Sequence, residues 1–318
     1  MKPIPAPSPH MHRGDTTGRI MGDVILALLP ATAAGILVFG LRAAAVVLVC
    51  IAAALLGERL WRGLSGQHNT LPDRSAAVTG LLLALTLPVS VPYWVAAIGA
   101  LFAVMVVKGM CGGLGQNPFN PALAARAFLV LVFPAPLTRY PDIQATVPLI
   151  RGADLITSAT PLHKMQIPAL PSASLWDMFL GRIGGSIGET SALALLAGGI
   201  FLVFRRVISP RIPVSYLGSA ALASLVFSQG EPPILWMLYS LLGGGMFLGA
   251  MFMATDYSSS PVTPKAQILF GAGCGLLTIF FRYKGIFPEG VTYAILLMNA
   301  AVWLIEEKTA PRRFGTGR

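Results

Sequence analysis

Three stretches of this chain hold residue types at spacings that could do chemistry. One is a hydroxyl-rich run, Asp154 through Thr157, Ser158, Ala159 and Thr160, in a polar loop between two blocks of apolar sequence. The other two are polar breaks closed by prolines. Residues 112–121 contain Asn117, Pro118, Asn120 and Pro121, and residues 255–264 contain Asp256, Pro261 and Pro264. Proline suits the first helical position, so each break is expected to end at a helix N-terminus whose free N–H groups favour anions or electron-rich oxygens. Non-helical backbone at membrane depth is tolerated only where it is buried in protein or lines a polar cavity. Matching breaks in two halves of a chain point to a binding site. Asn120 and Asp256 are therefore expected to line a pathway or a pocket; the plainer alternative is a pair of ordinary re-entrant loops. Arg126 lies about six residues, ~9 Å, inside the apolar run after the first break. A charge at that depth is a functional suspect, with Asp256 or a lipid phosphate as its expected partner, unless it snorkels to the surface.

Other signals are weak. The glycine cluster at 112–115 follows an apolar helix rather than a strand, and no acidic residue stands at dinucleotide-binding spacing. Gly243, Gly244, Gly245 and Gly249 fall in an apolar run and read as sites of close helix packing. Cys50, Cys111 and Cys274 form no C-x-x-C pair, so neither a disulfide framework nor an iron–sulfur or zinc site is encoded. His10, His12, His68 and His163 show no ligand spacing, and Walker, triad and HExxH patterns are absent. By elimination, any chemistry belongs to a bound cofactor.

The elements that must position these residues are membrane helices. The chain has 318 residues, 55% hydrophobic and only 11% charged, where a soluble chain carries roughly 25% charged residues. Apolar runs able to cross a ~30 Å hydrocarbon layer recur through it. The net charge of +10 is spread over short loops, as orientation signals are, with no basic stripe for nucleic acid. The fold class expected is an all-α polytopic membrane protein of about ten spans with an internal repeat: 23–41, 43–60, 76–91, 93–108, 120–133, 189–204, 214–228, 234–253, 265–281 and 290–305. Several are near 15 residues, short for a full span, so broken or tilted helices are expected among them. They divide into a tail (1–22), a five-span block (23–133), an outer loop (134–188), a second five-span block (189–305) and a tail (306–318). The polar, proline-rich Met1–Arg19 is unlike a cleavable signal, so the first span is expected to be retained. Lys and Arg favour the segments that are inside when both termini are cytoplasmic, which puts the hydroxyl-rich loop on the outer face. Lys108, at a span end, reads as one such orientation residue. A repeat is also expected. Pro92-Tyr93-Trp94 and Pro233 to Trp236 open two spans, and the pairs Pro118/Pro121 and Pro261/Pro264 follow at one spacing. That spacing implies parallel repeats of four helices.

The run from Asp154 to Thr160 resembles the covalent flavin-attachment signature of the RnfD/NqrB family, a D-x-x-[ST]-[GS]-A-T pattern. Leu155 follows the aspartate here, and Ser158 stands where the family usually has glycine. Further blocks are similar to the family: Gly112 to Asn117 with Phe119-Asn120-Pro121-Ala122 and Arg126-Ala127-Phe128; Met253 to Asp256 with Ser260 to Lys265; and Phe287 to Val291 with Ala294 to Ala300. Together they cover most of residues 76–305. The chain lacks the long N-terminus typical of NqrB, which favours the RnfD branch.

The resemblance implies a cell-membrane subunit of the Rnf complex, an ion-translocating assembly that passes electrons between reduced ferredoxin and NAD+ while moving Na+ or H+. It is an enzyme only as part of that assembly. FMN would be held on Thr160 by a phosphoester after a flavin transferase acts, with Thr157 the nearest rival hydroxyl, out of register. Asp154, Ser158 and Ala159 complete the attachment motif, and His163 and Lys164 are near enough in sequence to reach the FMN. A second, non-covalent flavin is a further expectation. Other subunits would bring iron–sulfur clusters, NAD and more flavin, which agrees with the absence of those motifs. Three other readings stay open: an NqrB-like subunit of a Na+-pumping NADH:quinone reductase, a solute transporter or channel on the same scaffold, and a purely structural membrane subunit.

Overall fold

A computed structural model describes residues 16–66, 70–140, 171, 173–189, 191–228, 232–285 and 290–309. The hydroxyl-rich run 154–160 and the chain ends lie outside the described residues. Each expected span coincides with a helix or a broken helix. Three helices, α1 (Thr17–Phe39), α2 (Leu41–Ser65) and α12 (Pro264–Lys284), are long and apolar enough to cross a membrane, or four with one bent pair counted as a span. The rest are shorter: α3 (Ser75–Thr86), α4 (Tyr93–Leu101, continued by the π-helical Phe102–Gly109), α5 (Pro121–Val132), α8 (Ala192–Phe204) and α9 (Arg211–Val226). The bent pair is α10 (Pro233–Leu242) with α11 (Met246–Leu248, continued by the π-helical Gly249–Met253). The last helix is α13 (Val291–Thr309), and two short ones, α6 (Pro134–Leu137) and α7 (Leu175–Leu180), flank the connection between the halves.

Local chemistry sets these ends. Gly40, at φ +75°, closes α1 and α2 starts at the next residue, since a side chain rarely adopts that backbone. Helix α3 stops at Thr86, well short of the expected 91, because Leu87 precedes Pro88 and a residue before proline avoids the helical region. Asn120 and Thr263 cap α5 and α12, each with proline at the first helical position, as the two breaks predict.

Three expectations are corrected. The run 234–253 is not one straight span: Gly243–Gly245 break it, Gly244 takes φ +55°, and the two pieces meet at 65°. Gly243 and Gly244 are the break itself; Gly249 serves close packing against Val291, and Gly245 makes room for the Glu189 carboxylate.

The repeat is not one of four parallel helices. In the first half, α2 packs on α3 and α4, and α4 packs on α5; in the second, α9 packs on α10 and α12, and α12 on α13. The halves join through their first members, α1 on α8, and their last, α5 on α13. That pattern equates α1–α5 with α8–α13, the bent pair counting as one, and an odd number of elements runs the second half opposite to the first. The matched proline pairs are therefore one capping device used twice, not equivalent positions. Small residues allow the closest crossings: a Cβ on Gly271 or Gly275 of α12 would strike Ser215 or Ser219 of α9, and one on Gly198 would strike Ala27 O.

Candidate functional site

The two polar breaks meet. Asn117 Nδ2 donates to Ser258 Oγ at 3.1 Å, and Asn120 Nδ2 donates to Met253 O at 3.1 Å. Asn120 Oδ1 meanwhile accepts from the N–H groups of Ala122 and Leu123, so one side chain caps α5 and ties it to the π-helical end of α11. Asn299 of α13, its amide oxygen turned toward Asn120 N (3.1 Å), sends its nitrogen to Ser259 O (3.2 Å). A cavity opens here, lined by Ser75, Lys108, Asn117, Asn120 and Asp256 among others. Burial pushes the Asp256 carboxyl above its usual range, against the opposing hydrogen bonds from Ser258 and Ser259 at 2.9 and 3.0 Å. Asn117 Oδ1 is buried in this wall without a hydrogen-bond partner.

Lys108 corrects its reading as an orientation residue. It is buried on the π-helical end of α4, with Nζ 2.5 Å from Glu58 Oε2 and 2.6 Å from Ser75 Oγ. Glu58, also buried, accepts from Thr70 and lies 3.7 Å from Arg62 Nε. A buried pair persists only with good geometry and further hydrogen bonds, and this one joins α2, α3 and α4. Gly112, Gly113 and Gly115 beside it take φ of +102°, +98° and +90°, so that cluster is a turn.

Arg126 lines a different cavity from Asp256, with Thr86, Leu123, Glu189, Gly245, Met253 and Thr292. It is buried rather than snorkelling, and it donates to Thr86 O at the broken end of α3. Two arginines that sequence reasoning missed do similar work. Arg282 donates to Ser240 O, to Gly243 O at 2.8 Å and to Gly244 O at 3.4 Å, capping the broken end of α10. Arg42 donates to Val89 O at 2.9 Å and to Ser90 O at 3.3 Å, and lies over the Tyr93 ring at 5.4 Å. Helix C-termini carry orphan carbonyls and negative partial charge, which a guanidinium satisfies. The signal was present in each case, a lone arginine in or beside an apolar run. Among the described residues, no group of His, Cys, Asp and Glu could hold a metal.

Asp154, Thr157, Ser158, Ala159 and Thr160 lie outside the described residues, as do His163 and Lys164; the connection's two roots lie within them. At one, Ser90 Oγ donates to Arg139 O at 2.6 Å, and burial pushes the Tyr140 phenol up to about 12. At the other, Ile187 and Gly188 hydrogen-bond to α3's broken end.

Residues 4–315 match the family model described as NQR2, RnfD, RnfE. A protein of Acetobacterium woodii, named as a component of the Na(+)-translocating ferredoxin:NAD(+) oxidoreductase complex, is 46% identical over 311 residues, 97% of this chain and 94% of that one. A Clostridium ljungdahlii protein named for the proton-translocating complex is 38% identical over 98% of this chain and 96% of its own length. A Stutzerimonas stutzeri protein named for an ion-translocating oxidoreductase complex is also 38% identical, covering 93% of this chain and 92% of its own.

Proposed function

The chain belongs to the NQR2, RnfD, RnfE family, and we propose that it is the membrane subunit through which an ion-translocating ferredoxin:NAD+ oxidoreductase passes electrons across FMN held covalently on Thr160. The observation that carries this reading is the Asp154–Thr160 motif inside a chain 46% identical to a component of such a complex. In the attachment step the Thr160 hydroxyl takes the FMN phosphoryl group from FAD. A P–O bond forms to the threonine oxygen, the pyrophosphate bond breaks, and AMP leaves with the proton balanced by solvent. A flavin transferase supplies the active site for that step, and FMN once attached supplies one- and two-electron redox capacity. This chain's own part is to present the hydroxyl and to tune what is bound. Tethering on the outer face keeps the effective concentration of the cofactor high where it could otherwise be lost to solvent.

The cavity between the breaks, at about 30 Å³, has room for one or two waters and not for an isoalloxazine ring, so a second, non-covalent flavin would need another place. Asn117 Oδ1 is an acceptor for a water in that space, which Asn120, Lys108 and Asp256 also border. The partners in this reading are the iron–sulfur, flavin and NAD-binding subunits of the complex. The coupling ion is Na+ or H+, since one relative carries each name.

In-gel flavin fluorescence of the denatured chain, co-expressed with the transferase, tests the reading. Fluorescence that survives denaturation and disappears in Thr160→Ala supports it; an unlabelled wild-type chain refutes it and favours a transporter.

A further inference from the structure

Because α3 stops at Thr86, the carbonyls of Leu85 and Leu87 are left without helical partners, and the outer connection supplies them. Ile187 N–H donates to Leu87 O at 3.0 Å and Gly188 N–H to Leu85 O at 2.7 Å, and Ser186 forms an antiparallel bridge with Pro88. Ser186 and Ile187 are fully buried there. The fit leaves no room at Gly188, where a Cβ would lie 2.6 Å from Leu85 Cβ and 2.9 Å from its carbonyl. Gly35 of α1 is similarly closed by Ile187 O. One residue on, the Glu189 carboxylate fills the space beside Gly245, where a Cβ would sit 2.9 Å from Oε1. This root is thus wedged between the broken ends of α3 and α10.

The other root reaches the same segment. Ser90 Oγ holds Arg139 O, and the Tyr140 phenol faces Ser186, Arg126 and Glu189. Arg42 stiffens the segment from below through the carbonyls of Val89, Ser90 and Val91. A stretch of non-helical backbone with its own buried guanidinium is costly to keep in a membrane. Both described ends of the connection therefore meet one stretch of backbone.

We propose that Leu85–Val91 is a docking seat for both roots of the outer connection, and that Gly188, Ser90 and Arg42 are positioning residues that set where its flavin stands relative to the partner subunits' redox centres. The inference rests on the reading of Thr160 as the flavin carrier. A reactive group held out of place loses rate steeply even when it is still bound. The seat therefore governs turnover rather than flavin content.

The test uses the whole complex with Gly188→Val, Arg42→Gln or Ser90→Ala in this chain. Abundance of the chain, covalent flavin per chain and ferredoxin-dependent NAD+ reduction are read side by side. Flavin per chain should match the unaltered complex while turnover per assembled complex falls severalfold, with Arg42→Lys recovering part of it. Gly218→Val, at a glycine with open space around it, should change nothing. Should Gly188→Val fail to assemble, Ser90→Ala, which only removes a hydroxyl, carries the same expectation. The seat is refuted if fully flavinylated variants turn over at the unaltered rate, or if every loss of rate merely tracks loss of assembled complex. A wild-type chain with no flavin counts instead against Thr160.

Discussion

Lys108 and Glu58 stand fifty positions apart and meet nearly dry, with side chains 3% and 2% exposed. Removing one partner of such a pair strands a buried charge, at a cost of about 3–5 kcal/mol, whereas replacing both with apolar residues can be neutral. Lys108→Met should accordingly lower the thermal stability of the purified protein strongly, and Lys108→Met with Glu58→Leu should recover most of it. Tyr140 gives a residue-scale test with a sign. Its phenol is raised by burial from 10 to about 12, so the stabilisation from keeping it neutral is full below 10 and is lost as pH rises toward about 12. A Tyr140→Phe protein should lose less stability than wild type when melted across that alkaline interval. Neither residue's environment was legible in the sequence. Lys108 looked like a charge at a span end because its partner is far away along the chain, and nothing near Tyr140 announced a buried phenol. Arg126 was legible, because a charge well inside an apolar run is rare enough to stand out, but its acceptor is a carbonyl that exists only because α3 breaks.

At the scale of elements, helix positions followed from apolar runs and two of the breaks from their prolines. The break in the run 234–253 did not. Gly-Gly-Gly in a membrane helix suits close packing as well as a bend, and only the Arg282 guanidinium on the freed carbonyls decides between them. The crossing of α9 and α12 rests on Gly271 and Gly275, which let Ser215 and Ser219 approach. Gly275→Val must push the helices apart, an overpacking cost of ~1–3 kcal/mol or more. It should reduce the amount of folded protein in the membrane fraction, while Gly218→Ala on the open face of α9 should not. Measuring both yields under one expression regime separates this contact from a general intolerance of larger residues.

At the scale of the molecule, the five-and-five arrangement fixes which connections share an end. The α4–α5 turn, the α8–α9 turn and the segment 254–263 fall together, and the roots of the connection between α6 and α7 fall at the opposite end. Cys111 is exposed in the first of these, while Cys50 and Cys274 are buried. A membrane-impermeant thiol reagent applied to closed vesicles should label Cys111 and an engineered Ser209→Cys from the same side, and Ala173→Cys only from the other. Labelling of Ala173→Cys together with Cys111 would contradict the arrangement. The capping similarity of the two breaks concealed this symmetry in the sequence, because local chemistry was repeated where position was not. What the sequence offered most directly was the hydroxyl-rich run itself, and the role argued for the whole chain hangs on it. The most direct measurement is therefore the mass of the peptide covering residues 152–164, taken from protein expressed in its native host. The account predicts that peptide heavier by one FMN phosphoester, with fragmentation placing the addition on Thr160. An unmodified peptide, from cells in which the transferase is active, would contradict it.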